Sequence, residues 1–371
     1  MRCIKRWSFH SPSLCRQLPC ISARPALAPW RVQQPSGQGT ISQRRHFSLE
    51  SIPGVLLPPL VFCGLLTSLW TYKCLMMVIF QNKIIYMPSV PPFSRSEKVE
   101  DYATQCGPVR WQEHDVKSSD GTIVKLLEGS MTSASLPLSP GKRQVVVLYL
   151  QGNASSLPPR LPHLSSVIRK LSSNRENDRD YRLVALSYRG FWKSQGTASQ
   201  PGIELDVDAA FKWVLDRYDA DAGTIVVWGQ SIGAGASTVG VDNLVRSNPD
   251  AIRRISGLLL ETPFVDLKAM LIALYPQKFL PYRYLAPFLR STWDSKTALS
   301  NIGNIRPRLR TLILEAGDDE IVPAGQGQIL EEVCKEKGLE ATRLSVRGAL
   351  HTEVTAKPSG RSRIVEFVGS F

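Results

Sequence analysis

The stretch Thr224–Ser237, TIVVWGQSIGAGAS, decides how the chain is read. Thr224 to Trp228 has the β-branched and aromatic composition of a buried strand. It runs into Ser231 set between Gly229 and Gly233, and then into Ala234, Gly235 and Ala236, a small-residue face that lets a helix sit close. A strand turning sharply into a helix over a Gly-x-Ser-x-Gly string leaves the serine hydroxyl exposed above the carboxyl edge of a sheet. The two glycines relieve crowding at that turn. The string by itself is a weak signal, and its position between a strand and a helix is what strengthens it.

Outward from this turn, apolar β-branched runs alternate with helical patterns. VRWQEHDV and TIVKLLEG, separated by Asp120-Gly121, read as a hairpin. RQVVVLYL (143–150), YRLVALSY (181–188), TIVVWG (224–229), SGLLLETPF (256–264), RTLILEA (310–316) and TRLSV (342–346) read as further strands. Helices are expected over Leu161–Ser172 and about Gly202–Tyr218, the second with Leu205, Ala209, Ala210, Trp213 and Val214 on one face. Near-continuous apolar strands spaced by helices indicate an α/β fold with a mostly parallel central sheet covered on both faces. At about 265–305 the alternation lapses into an aromatic-rich stretch broken by Pro276, Pro281 and Pro287. It reads as a small helical cap or as a surface helix pair with a buried aromatic face, and the two readings are compatible.

A serine hydroxyl is a poor nucleophile unless a base lies within hydrogen-bond reach and a carboxylate orients that base. On a strand–elbow–helix scaffold the partners follow in the order serine, acid, histidine. Of the five histidines, His10, His46, His114 and His163 precede Ser231, so His351, in a loop after the last strand candidate, is the expected base. The acid is expected after RTLILEA, where Asp318, Asp319 and Glu320 are adjacent. Asp319 is the preferred residue, with Asp318 its close rival and the other acids read as solvated loop charges. An oxyanion needs preorganised backbone donors. Ile232, directly after the serine, supplies one, and the loop after Leu150, Gln151-Gly152-Asn153, supplies the other from the Asn153 N–H, with Gly152 allowing close approach.

The front of the chain differs from the rest. Formal net charge is +13 over 371 residues, yet eight of the 45 Lys and Arg fall in the first 49 residues, which hold no Asp or Glu. The remainder carries mixed signs without a basic face, which argues against a nucleic-acid partner. Residues 1–50 are read as a basic tail, either a targeting peptide or a disordered arm. Residues 51–80 contain no charge before Lys73 and are long enough for one transmembrane helix, with Trp70 and Tyr72 suiting a membrane boundary. Counting basic residues places the large C-terminal part across the membrane from the tail. Residues 81–106, including MPSVPPFSRSEK, read as a proline-rich, semi-extended connector, followed by the globular domain over 107–371. The seven cysteines are scattered, with no CxxC pair and no histidine at ligand spacing, so no metal site is expected.

IIYMPSVPPFSR, LYLQGNA, LSYRGFWKSQG, GQSIGAG, ETPF with a later STWDS, GDDEIVP and His351, in this order, resemble the Bem-like (bud-emergence) branch of the α/β-hydrolase-domain proteins, from about Gln81 to the C-terminus. These are membrane-anchored serine hydrolases typical of fungi and related to animal monoacylglycerol and lysophospholipid lipases. The resemblance implies an α/β-hydrolase fold, a triad of Ser231, Asp319 and His351, and an oxyanion loop at Gly152–Asn153. The family's His-Gly-Asn-Ala-Gly-Asn loop departs here to Gln151 and Ser155-Ser156. The expected activity is cofactor-free cleavage of an acyl ester or thioester, of a lipid for preference, at a single-pass membrane of the endoplasmic reticulum or mitochondrion. A catalytically silent scaffold is the alternative, since this fold does not guarantee chemistry; a peptidase shares the triad but has no peptide-binding signature here.

Overall fold

A computed structural model describes residues 53–131, 143–173, 179–218, 223–278 and 280–371, so the basic tail lies outside the described residues. Two compact units divide between Leu60 and Val61; the described part of the first is residues 53–60, and the second is Val61–Phe371.

The first helix, α1 (Leu57–Ile79), is 23 residues long, about 34 Å at the usual rise. Apart from Lys73 it carries no charge and is almost wholly exposed, and among the described residues it is the helix long and apolar enough to cross a bilayer. After it come α2 (Gln81–Tyr86), α3 (Ala103–Cys106) and the strands β1 (Arg110–Lys117), β2 (Ile123–Ser130) and β3 (Arg143–Leu150). Then follow α4 (Leu161–Ser172), β4 (Arg179–Ser187), α5 (Gln200–Arg217), β5 (Gly223–Gln230), α6 (Ile232–Ser247) and β6 (Ile255–Glu261). The chain finishes with α7 (Leu267–Leu274), α8 (Tyr282–Leu285), α9 (Ser295–Ile305), β7 (Arg310–Ala316), α10 (Gln326–Glu336), β8 (Glu340–Val346) and α11 (Pro358–Gly369).

The strands make one sheet in the order β1-β2-β4-β3-β5-β6-β7-β8, in which β2 runs against its neighbours and all other pairs from β4 onward are parallel. This is the mostly parallel α/β sheet that the alternation of strands and helices predicts, in the α/β-hydrolase fold that the resemblance implies. Side chains alternate across a strand, and here they feed two cores. Val146, Leu148 and Leu150 of β3 join Ile203, Val207, Val241, Leu299 and Leu330 on one face. Val145, Val147 and Tyr149 join Leu164, Val167, Ile364 and Val368 on the other. Parallel strands are buried on both faces, which is why these segments read as unbroken apolar runs.

Three expectations need correction. On α5 the buried face is Ile203, Val207, Ala210, Phe211 and Val214, while Leu205, Ala209 and Trp213 are half-buried. Asp206, one residue before Val207, also points inward, with no exposed surface, because it pairs with Arg189; a charged residue on the inner face hides the helical period from a reading of apolar spacing. The cap is shorter than 265–305. Its final helix, α9, buries Leu299 and Ile302 in the main core and bonds through Asn301 to Asp242 of α6, so it belongs to the main domain. Residues 81–106 are not a free connector. Tyr86 is fully buried, Arg95 donates to the carbonyls of Trp192 and Ser194, and Trp192 Nε1 donates to the Glu97 carbonyl at 2.7 Å. Nor is it semi-extended: besides α2 and α3 it holds single 3-10 turns at Ser94–Ser96 and Glu100–Tyr102, and its polar and aromatic side chains tie it to the domain.

Candidate active site

β5 ends at Gln230 and α6 begins at Ile232, leaving Ser231 alone at the turn with φ 54° and ψ −118°. A positive φ at a residue with a Cβ costs about 1–3 kcal/mol and persists only where its surroundings enforce it. Here the Ser231 N–H donates to the Glu261 carbonyl at the end of β6 (2.8 Å), and the Ser231 carbonyl accepts from Ala234 N–H (2.8 Å). Glycines flank the turn because nothing larger fits. A Cβ at Gly229 would lie 2.2 Å from the Gly233 carbonyl oxygen, and one at Gly233 would lie 2.1 Å from the Leu150 carbonyl oxygen.

His351 comes from the loop after β8, 120 residues along the chain from Ser231, yet its Nε2 lies 2.8 Å from Ser231 Oγ. Its Nδ1 lies 2.9 Å and 3.0 Å from the two carboxylate oxygens of Asp319. With the Nδ1 proton directed at that carboxylate, Nε2 accepts the Ser231 hydroxyl proton. The Asp319 carboxylate is itself fixed by the N–H groups of Ile321 (2.9 Å) and Val322 (2.7 Å), both on Oδ1. Burial would favour its protonated form, but the bond from His351, aided by those backbone donors, outweighs burial and holds the carboxyl below its ordinary range. Asp318, the rival acid, is exposed and contributes its N–H to the Ala349 carbonyl (3.0 Å), which ties the acid loop to the histidine loop. Glu320 is more than a solvated loop charge, since its carboxylate accepts the His351 backbone N–H at 2.9 Å.

The loop after β3 reaches the same place. A Cβ built on Gly152 would stand 3.6 Å from Ser231 Cβ and 3.5 Å from the Gln230 carbonyl oxygen, so the chain passes directly beside the hydroxyl. Ile232 N–H is the first of α6, where no carbonyl of the same helix lies four residues back to accept it. The next two amides of the β3 loop are committed elsewhere: Ala154 N–H donates to the Tyr86 carbonyl and Ser155 N–H to the Val90 carbonyl. Ala154 and Ser155 both take positive φ, about 60°, and Ser155 stands where the resembled family reads glycine. Asn153 Nδ2 donates to the Ile85 carbonyl at 3.4 Å, which places it against the chain that follows α1 rather than on a free surface. Gln151 is buried, and its Nε2 finds no hydrogen-bond partner among the described residues. Its carbonyl accepts Tyr188 OH at 2.9 Å, which braces the loop through the main chain.

Beneath the serine lies a polar network that reading the sequence did not reveal. Glu261, fully buried, accepts from Trp228 Nε1 (2.9 Å), Thr355 Oγ1 (2.9 Å) and Gln230 Nε2 (3.4 Å). Tyr149 OH in turn donates to Gln230 Oε1 (3.0 Å). Burial pushes the Glu261 carboxyl above its usual range despite these donors. The network joins β3, β5, β6 and, through Thr355, the segment that carries His351. One signal was available: a carboxylate ending an otherwise apolar strand, GLLLE, has no reason to be there as packing.

No protein-family model matches the chain. It is similar to the α/β-hydrolase domain-containing protein WAV2 of Arabidopsis thaliana, 27% identical over 288 residues, covering 75% of this chain and 83% of that protein. It is also similar to protein bem46 of Schizosaccharomyces pombe, 30% identical over 53% of this chain and 58% of that one. The lysophosphatidylserine lipase ABHD12 of Danio rerio is 30% identical over 52% of this chain and 47% of its own length, so this chain spans only about half of that relative. Among solved structures, an α/β hydrolase from Vibrio vulnificus superposes with a TM-score of 0.58 at 17% identity, covering 78% of this chain and 92% of that one, which shows the fold.

Proposed function

We infer that this chain, an α/β-hydrolase-domain protein resembling the Bem-like branch, is a membrane-anchored serine hydrolase that cleaves acyl esters or thioesters, with lipids as the substrate class. The observation that carries this reading is the unbroken hydrogen-bond line from Ser231 through His351 to Asp319, set on a strained elbow. Ser231 Oγ attacks the acyl carbonyl while His351 Nε2 takes its proton, and Asp319 stabilises the imidazolium that forms. The amides of Ile232 and Asn153 hold the oxyanion. Collapse expels the alcohol or thiol, which leaves with the proton from His351. Water then attacks the acyl-serine with His351 as base, releasing the carboxylic acid and restoring Ser231. No step calls on a metal or an organic cofactor.

The lipid class draws support from the lysophosphatidylserine lipases among the relatives and from the exposed apolar helix α1. As a membrane span, α1 puts the hydrolase domain on the side opposite the basic tail, in the endoplasmic reticulum or a mitochondrion. Protease protection of the domain in intact organelles checks that orientation. Fluorophosphonate labelling of wild type beside Ser231→Ala tests the chemistry. Labelling of wild type alone is expected; labelling of neither, in folded protein, leaves the silent-scaffold reading standing.

A further inference from the structure

Glu261, at the end of β6, is fully buried, and no step of the reaction above uses its carboxylate. A carboxylate inside a protein is costly unless donors replace the water it has lost. Here the two halves of the residue reach two different members of the triad. Its main-chain carbonyl accepts Ser231 N–H at 2.8 Å, at the turn that carries the nucleophile. Its side-chain Oε1 accepts Thr355 Oγ1 at 2.9 Å, four residues past His351. We propose that Glu261 is a positioning residue for the reaction, holding the serine turn and the histidine segment in the register that brings Ser231 Oγ within 2.8 Å of His351 Nε2. The inference rests on the serine hydrolase reading and adds what fixes the distance between nucleophile and base.

Neither end of this link has slack. Ser231 takes a φ of 54°, which its surroundings must enforce, and Thr262, next to Glu261, also has a positive φ. Thr262 N–H donates to the Leu314 carbonyl at 2.7 Å, which pins the end of β6 to β7. At the other end Thr355 is buried. A Cβ on Gly360 of α11 would lie 2.1 Å from the Val354 carbonyl oxygen, so the turn before that helix is packed hard against it.

The carboxylate is also oriented. Trp228 Nε1, which can only donate, lies 2.9 Å from Oε2, and Gln230 Nε2 lies 3.4 Å from Oε1. Gln230 is turned that way by Tyr149 OH, which donates to its Oε1. Donors on both oxygens leave the side chain one orientation, with Oε1 on Thr355. The histidine is held to the acid loop by separate bonds, from Asp318 N–H to the Ala349 carbonyl and from His351 N–H to Glu320. Cutting the link at Glu261 therefore lets the base and its acid drift together, away from the serine.

The test uses the full chain in detergent micelles, with kcat and KM on a short acyl ester, fluorophosphonate labelling rates and thermal scans. A misplacement of about 1 Å between reacting groups costs about 10²-fold. Glu261→Leu is expected to lose about 100-fold in kcat and in labelling rate, with KM changed by less than about threefold. Thr355→Val cuts the same link from the other end and is expected to lose about tenfold, and the double variant to be no slower than Glu261→Leu, since both remove one link. Glu261→Gln keeps an acceptor for Trp228 and can meet Thr355 with the hydroxyl turned round, so it should recover most of the loss. Glu128→Gln, at a buried carboxylate on β2, serves as control and should alter stability without altering kcat. Wild-type kcat in Glu261→Leu, losses that add in the double variant, a Glu261→Gln as slow as Glu261→Leu, or an equal loss in Glu128→Gln each overturns the proposal. Should Glu261→Leu not fold, Thr355→Val decides, and an unchanged kcat there overturns it. Wild type that is neither labelled nor active sinks the hydrolase reading and the positioning role with it, whereas labelled wild type with variants equal to it sinks the positioning role alone.

Discussion

Replacing Asp319 with asparagine probes the site most sharply, because the surroundings dictate how the new side chain must sit. Oδ1 accepts two main-chain donors, Ile321 N–H at 2.9 Å and Val322 N–H at 2.7 Å. The carboxamide oxygen must keep that position, since an NH₂ group there would face two other donors. The amide nitrogen then takes the place of Oδ2, 2.9 Å from His351 Nδ1. Nδ1 becomes an acceptor, its proton moves to Nε2, and Nε2 meets Ser231 Oγ at 2.8 Å as a donor instead of a base. Where a triad aspartate is changed in this way the wrong tautomer lowers kcat by about 10⁴-fold, or about 5.5 kcal/mol of transition-state stabilisation. The assay is kcat/KM on a short acyl ester, with a thermal unfolding scan to show that the variant is folded. Asp318→Asn serves as the control and is expected to behave as wild type, because the Asp318 side chain is exposed and only its backbone ties the loops. Retention of more than about a tenth of activity by Asp319→Asn, or an equal loss in Asp318→Asn, would refute the tautomer argument.

Other expectations concern the scaffold. Gly233→Ala pushes a Cβ to 2.1 Å from the Leu150 carbonyl oxygen and 2.5 Å from that of Gln151, both backbone. It should lower stability by about 1–3 kcal/mol or more in urea unfolding, and an unchanged midpoint would contradict the close packing of the elbow. Asp206→Ala strips a buried guanidinium of its main partner, because Arg189 donates to Asp206 from both Nε and Nη2 and Ser118 Oγ also depends on that carboxylate. The expected cost is about 3–5 kcal/mol, and a neutral result would mean that Arg189 finds another acceptor. Glu128 is buried, which would raise its pKa, but bonds from His114 and Tyr218 and the charge of Arg217 reverse this and lower it to about 2 from an ordinary 4.5. A depressed carboxyl stabilises the fold above its unfolded pKa, and that contribution is lost as pH falls from 4.5 through about 2. Glu128→Gln should therefore flatten the acid limb of stability against pH; an unaltered limb would assign it to other groups. Finally, a chain cut after Lys98 loses Gln81, Tyr86 and Arg95 with their bonds to the cap and to Trp192 and Ser194. Its thermal midpoint should fall below that of the full chain, and equality would show the segment to be dispensable.

Much of this architecture was legible from local pattern. The strands β1 to β8 fall on the runs that read as strands: β3 to β7 because strands buried on both faces are apolar nearly throughout, and β1 and β2 because a turn at Asp120-Gly121 separates two strand-like runs. The elbow was legible for a related reason. Gly229 and Gly233 answer to collisions that any strand–serine–helix turn creates, so the requirement is written in adjacent residues. His351 followed from chain order, and the structure brings it to Ser231 with Asp319 behind it. Asp318 and Asp319 could not be separated by composition. They differ only in which way the loop turns, and that turn is set by the Ile321 and Val322 amides.

What the amino-acid sequence determined by itself was the order of strands and helices, the turn at Ser231 and the chemical types available to it, since each depends on neighbours within a few positions. Tertiary structure alone decided that Glu261 underpins both the serine turn and, through Thr355, the histidine segment. It also decided that Tyr86 and Val90 occupy the amides beyond Asn153 and that the end of α1 shares a cavity with the cap. The residues in these pairings lie tens to hundreds of positions apart, and each buried donor must find an acceptor wherever folding brings one near. No periodicity along the chain encodes such a meeting, so it becomes visible only once the sheet has gathered its edges.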